Sequence, residues 1–197
     1  MTPRIVRTLL TTLSGALVAG CGSSPAPRYY ALGAPVEAAA PTAAPAQDAL
    51  SVWVAPVTLP ESVDRPQLVL RVSTNRVAIL DGHRWAEPLG SAVTRAIAAN
   101  LAARLGARVA AEGQHAATGA QIRVLVDVLR FESSAGESVT VEAQWSVRRI
   151  QDSTLRHGRT RVVEPASGPD NESLVAAHSR AISALSHDIA RTIASMH

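Results

Sequence analysis

Lysine is missing from this sequence, and cysteine and phenylalanine each occur once. Every one of the 19 basic side chains is therefore an arginine, set against 16 carboxylates. Arg4 and Arg7 stand at the start of the chain, and the remainder is close to neutral. Aromatic residues make up 3% of the chain and no arginine-rich run is present, so the phosphate-tracking stripe and stacking platforms of a nucleic-acid binder are lacking. A single cysteine excludes a disulfide framework within the chain and any multi-thiolate zinc site. His178 and His187 are nine residues apart, which places them on different faces of a helix, and no histidine pair has metal-ligand spacing. The G-x-S-x-G, P-loop and G-x-G-x-x-G motifs are absent. Serine, histidine and aspartate are present, but no spacing assembles them. No catalytic residue, metal or cofactor is assigned, and the chain reads as a non-enzyme.

The lone cysteine is placed where it has a purpose. Arg4 and Arg7 precede an apolar stretch from Ile5 to Ala19 that contains no acid. That stretch is shorter than the roughly 20 residues a permanent membrane helix needs. A basic start, a short apolar segment and a small-residue exit mark a secretory signal. Val18-Ala19-Gly20-Cys21 resembles the bacterial lipobox, in which the thiol accepts a diacylglycerol and the cysteine becomes the new N-terminus. The expected organisation is a lipoprotein signal peptide over 1–20, a lipid-anchored tether over 21–49 and one periplasmic domain over 50–197. Within the tether, GSSPAP and the Ala/Pro-rich stretch after Leu32 have the composition of flexible or extended linkers. Between them, Arg28-Tyr29-Tyr30-Ala31-Leu32 is an island of β-favouring residues. It either docks on the domain as a short strand, the preferred reading, or sets its tyrosines at the lipid headgroups.

From Ala49 the pattern is globular. SVWVAPV reads as a strand closed by Pro56. QLVLRVS and NRVAILD read as strands separated by a turn at Ser73-Thr74-Asn75, with a second turn at Asp81-Gly82. Leu89, Val93, Ile97, Leu101 and Leu105 form one apolar stripe of a helix, with Pro88 in its first turn and Gly106 as its stop. RVAAEG reads as a short strand. Ile122, Val124, Val126 and Val128 share one face of a strand whose other face carries Leu125, Leu129 and Phe131, as in a central strand packed on both sides. Val139, Val141, Ala143, Trp145 and Val147 alternate with polar residues, giving a strand with one buried face. LRHGRTRVVEP comes next as an antiparallel partner. Leu174, His178, Ile182, Leu185, Ile189, Ile193 and Met196 mark a second helix capped by Asp170 or Asn171, with His178 as a packed or rim residue. The expected fold is α+β: a mainly antiparallel sheet with two amphipathic helices packed on one face.

Two surface features compete with bland readings. Asp64 and Arg65 form either a contact site or a solvated loop turn with a local ion pair, worth about 0–1 kcal/mol if exposed. Trp85 either anchors a helix start, the preferred role, or serves as a partner hot spot.

The string PVTLPESVDRPQLVLR, followed by WAEPL at a helix start, then LRFE and VEAQW, resembles the ABC-type transport auxiliary lipoprotein family across nearly all of the mature chain. The matching positions are Tyr29, Tyr30, Leu59, Pro60, Asp64, Arg65, Pro66, Gln67, Trp85 and Glu87. The resemblance implies a non-catalytic, lipid-anchored periplasmic subunit acting with an MCE-domain protein and inner-membrane transporter components in intermembrane lipid transport. It also implies docking at the outer membrane, in several copies as a homo-oligomer. Gly22 after Cys21, in place of aspartate, favours the outer membrane by analogy with the sorting rule of enteric bacteria. The alternatives are a periplasmic lipid carrier, which needs a hollow core, and an envelope hydrolase, which needs a convergent catalytic set.

Overall fold

Two helices and eight strands make up the computed structural model, which describes residues 26–33, 50–111 and 119–196. The signal-like segment, Cys21 and the Ala/Pro stretch lie outside the described residues. In chain order the elements are β1 (Arg28–Tyr30), β2 (Ser51–Val54), β3 (Gln67–Ser73), β4 (Arg76–Trp85), α1 (Leu89–Leu105), β5 (Arg108–Ala111), β6 (Ile122–Ser134), β7 (Ser138–Arg149), β8 (Leu155–Pro165) and α2 (Asn171–Ala194).

The sheet is built around β6. Along one edge β6 pairs with β7, and β7 with β8, as a long antiparallel meander. Along its other edge the start of β6 pairs in parallel with β2, which pairs in parallel with β5. The end of β6 touches β3 through Arg71 and Ser134, and β3 leads to β4 and β1. Four of the seven pairings are parallel. The expected mainly antiparallel sheet is therefore corrected to a mixed, curled sheet, a half-barrel. The physical reason is connectivity. β2 and β5 flank α1, a crossover that makes parallel neighbours, and β2 reaches β6 across a long stretch of chain.

Three register shifts shape the sheet, and two of them correct the sequence reading. In β6 the register slips between Val128 and Arg130, opposite Ala143 and Glu142 of β7. A slip of one residue exchanges the two faces of a strand. Ile122, Val124, Val126 and Val128 point into the core before the bulge, and Phe131 and Ser133 point into it afterwards. Leu125 and Leu129 are 50% and 41% exposed, so β6 is buried on one face rather than on both. In β4 the register jumps from Leu80 opposite Leu68 to Arg84 opposite Gln67. Asp81-Gly82, read as a turn, thus lies within a continuous strand and forms its bend.

Both helices present the expected stripes. Leu89, Val93, Ile97 and Leu101 of α1 are buried, and Gly106 ends the helix at φ +58°, a left-handed conformation that suits glycine. Pro88 stands one position earlier than expected, at the N-cap. In α2, Leu174, Ile182, Leu185, Ile189 and Ile193 are buried. Asp170 caps this helix by accepting from the Ser173 backbone N–H at 2.7 Å, a bond that lowers the carboxyl pKa. Each aliphatic side chain so buried contributes roughly 1.5–3 kcal/mol relative to exposure.

The β7–β8 pair is locked to α2 by a bonded chain. The Trp145 indole N–H donates to Thr160 Oγ1 at 3.1 Å, and Thr160 donates to Asp188 at 2.8 Å. Gly158 lies directly across from Trp145, and a Cβ at 158 would fall inside the indole. Gly158→Ala is expected to lower unfolding free energy by about 1–3 kcal/mol through overpacking. Urea denaturation checks this, and a change below about 0.5 kcal/mol, the range of neutral surface substitutions, contradicts it.

Candidate functional site

The motif string from Pro56 to Gln67 runs along the sheet and closes on the start of α1. Ala55 N–H donates to Val124 O at 2.9 Å, and Thr58 exchanges backbone bonds with Val126 and Val128. Val57 N–H donates to Thr94 Oγ1 at 3.0 Å, and Thr94 in turn donates to Gly90 O at 2.7 Å. These bonds fix the loop to α1 and satisfy a fully buried threonine. Leu59 and Pro60 are half-buried. Val63 and Asp64 N–H both return to Pro60 O, at 3.0 and 3.1 Å, and form one tight turn. Pro66 O accepts from Trp85 N–H at 2.8 Å, and Tyr30 O accepts from Ala86 N–H at 2.8 Å.

The loop, β1 and the end of β4 therefore meet at Trp85, which is 7% exposed. Its ring stands edge-on to Phe131 at 6.2 Å, and Phe131 stacks flat on His178 at 3.9 Å. Trp85 is thus an anchor for the helix start, not an exposed contact. Glu87 is ion-paired with Arg95 of α1. Asp64 and Arg65 do not pair with each other among the described residues. Asp64 is exposed, while Arg65 is half-buried and its Nε finds no hydrogen-bond partner there. Gln67 opens β3 opposite Arg84.

The two tyrosines separate by strand alternation. Tyr30 turns inward, stacks on His83 and places its hydroxyl 2.7 Å from His83 Nδ1. Asn171 Nδ2 donates to the same nitrogen at 3.0 Å, so His83 ties β1 to α2. Tyr29 turns outward and is 62% exposed. Neither His83 nor the Phe131–His178 stack was marked by sequence pattern. Phe131 enters the core only because of the β6 bulge, and His83 comes directly after a dipeptide that signals a turn.

Among the described residues, His178 and Ser133 form an arrangement that resembles catalytic chemistry. Ser133 Oγ lies 2.8 Å from His178 Nε2. The other ring nitrogen, Nδ1, has no hydrogen-bond partner, so the orienting acid of a triad is missing. His178 is 1% exposed, and burial pushes its pKa down to about 3. An imidazole that resists protonation is a poor general base. A bare acceptor is cheaper to bury than an unpaired N–H, so the neutral ring that donates from Nε2 to Ser133 fits best. The pair is a packing hydrogen bond in the core.

On the outer face, away from the helices, charges alternate across four strands, β3, β6, β7 and β8. Arg71 meets Glu132 at 2.5 Å, Arg130 lies 3.7 Å from Glu132 and 3.8 Å from Glu142, and Arg159 Nε donates to Glu142 at 2.9 Å. The bond from Arg159 lowers the Glu142 carboxyl pKa. An open groove of about 600 Å³ lies beside Arg71, Arg130, Glu132 and Glu137. Inside the core, the space among Leu68, Trp85, Leu89 and Phe131 is only about 10 Å³. Among the described residues no cluster of three or more histidine, cysteine or acidic side chains is placed to hold a metal. None of their helices is long and apolar enough to cross a membrane.

These parts form a curled sheet sealed by two helices, with the motif loop packed onto the start of α1. The model of the ABC-type transport auxiliary lipoprotein component family matches residues 30–190, and the chain belongs to that family. It is 26% identical over 162 residues to the intermembrane transport lipoprotein PqiC of Escherichia coli, covering 82% of this chain and 84% of that one. PqiC of Shigella flexneri matches to the same extent. Among solved structures, an uncharacterized protein superposes with a TM-score of 0.69 at 20% identity, over 85% of this chain and 99% of its own. A Xanthomonas campestris protein gives 0.60 at 18% identity, over 83% and 92%. These two likenesses establish that the fold is shared.

The buried histidine has a pH consequence. The unfolded chain takes up a proton on this side chain below about pH 6.5, whereas the folded chain does not until about pH 3. Protonation therefore favours the unfolded state, and stability falls as pH drops through that window. His178→Leu is expected to remove a loss approaching 1.4 kcal/mol per pH unit between pH 6 and 4, about one proton's worth. The difference between wild-type and variant unfolding free energies across that range measures it. Parallel profiles contradict a neutral, buried His178.

Proposed function

We propose that the chain is a lipid-anchored auxiliary subunit, held by an acylated Cys21 at the periplasmic side of the outer membrane. There it docks an MCE-domain transport assembly with its inner-membrane components, supports movement of lipids between the membranes and takes no catalytic step. The observation that carries this reading is the extent of the family match. It covers the domain from Tyr30 almost to its end, and the lipobox-like Val18-Ala19-Gly20-Cys21 lies just upstream. The curated relatives are named for intermembrane transport, which supports the same role here. Lipoprotein processing supplies more than one acyl chain, and stable anchoring needs at least two such signals.

Two alternatives lose ground on geometry. A lipid carrier needs a cavity between sheet and helices, and the core space at Trp85 and Leu89 is too small for an acyl chain. A hydrolase needs more than Ser133 and His178, which lack an acid on Nδ1. Cys21→Ser is expected to move most of the protein from the membrane pellet to the soluble periplasmic fraction. A variant that still sediments with membranes contradicts the anchor. Recovery of the wild-type chain with the inner membrane on a density gradient contradicts outer-membrane placement.

A further inference from the structure

The wing made by β3, β4 and β1 has two faces of opposite character. Leu68, Leu70 and Leu80 pack inward against the core. On the outer face, Val77 and Ile79 are 50% and 45% exposed, next to the exposed Leu129 of β6. Val63, Val69, Val77 and Leu129 line a single groove, so the apolar surface is contiguous. Tyr29 extends it onto β1. On this face Arg84 stands beside Tyr29, whereas strand alternation turns Arg28 to the side of Tyr30 and Arg76 to the side of Leu80. Arg84 has no ion pair among the described residues, while Arg71 on the same face is neutralised by Glu132. Asp81 is the exposed acid in the β4 bend. A contiguous apolar patch with an unpaired arginine at its edge calls for an occupant.

Chain connectivity selects a bilayer as that occupant. Seven peptide units separate Cys21 from Arg28, a span of at most about 25 Å when fully extended. With lipid on Cys21, the start of β1 is thereby confined close to the headgroups. The thirteen residues of β6 alone extend roughly 43 Å, so much of the domain can lie farther away than β1 can. Tyrosine favours the headgroup level and arginine pairs with lipid phosphates.

We propose that the outer face of the β3–β4–β1 wing lies against the bilayer that holds the anchor, with Tyr29 and Ile79 at headgroup depth and Arg84 on a lipid phosphate. The proposal rests on the Cys21 anchor described above, and the test separates the two. In the full-length lipoprotein Cys21 is acylated, so Ile79→Cys supplies a single labelling site, and Ala176→Cys on the exposed side of α2 supplies the control. Each variant carries a thiol-reactive fluorophore and is reconstituted on vesicles of phosphatidylethanolamine and phosphatidylglycerol containing a shallow lipid-borne quencher.

At least threefold stronger quenching at position 79 than at 176 is expected. Replacing Tyr29 and Arg84 together by glutamate should bring the two positions level. Equal quenching in vesicle-bound protein overturns the face and leaves the anchor standing. Oxidative crosslinking of two Ile79→Cys chains overturns the face in favour of a second copy. Failure of the wild-type lipoprotein to float with the vesicles overturns both anchor and face.

Discussion

One extra residue in β6 sets the arrangement of the domain. Without the bulge at Leu129, a strand this long would present one uninterrupted face to the core, and Phe131 would point to solvent. With it, the first half of β6 buries Val124 and Val126 in the core, and the second half turns Phe131 and Ser133 toward His178 of α2. Phe131 then lies between the Trp85 edge and the His178 ring. A single stack thus joins the motif loop, the start of α1 and the middle of α2. The bulge also leaves the end of β6 with only one paired position on β3, so the β3–β4–β1 wing can bend away from the meander and curl the sheet.

The same stack explains the character of the family string. Pro60, Pro66 and Trp85 shape a turn whose backbone bonds close on itself and on β4. What the string fixes most directly is shape, because its tryptophan is buried and its glutamate is paired within the first helix. Glu61, Ser62, Asp64 and Pro66 are left on the surface. His178 carries a cost, since an imidazole held neutral with a bare Nδ1 is a polar group buried with one bond. The flat contact with Phe131 and the bond to Ser133 offset it.

Much of this architecture was legible in the residues. The stripes Leu89–Val93–Ile97–Leu101 and Leu174–Ile182–Leu185–Ile189 identified both helices, because an apolar period near four residues matches the turn of an α-helix and not the two-residue repeat of a strand. The alternation from Val139 to Val147 identified the buried face of β7. Strand pairing was not legible in the same way, since β2 and β6 meet across almost the whole length of α1 and β5, and alternation within one strand says nothing about its neighbour's direction. Bulges were hidden for a related reason. The hydrophobic residues flanking Leu129 look like a strand covered on both faces, and Asp81-Gly82 has turn chemistry that a bend within a strand also uses. His83 and Ser133 acquire partners only through these irregularities.

The chain belongs to the auxiliary lipoprotein family, and its two helices bury their apolar stripes against the curled sheet. Under the proposed function, the chain serves a transport assembly by docking it. In-cell crosslinking, followed by purification of the tagged full-length lipoprotein and mass spectrometry of what remains attached, tests that most directly. The account predicts recovery of an MCE-domain protein crosslinked to this chain. Good yield of the membrane-bound lipoprotein with no transport component attached would contradict it.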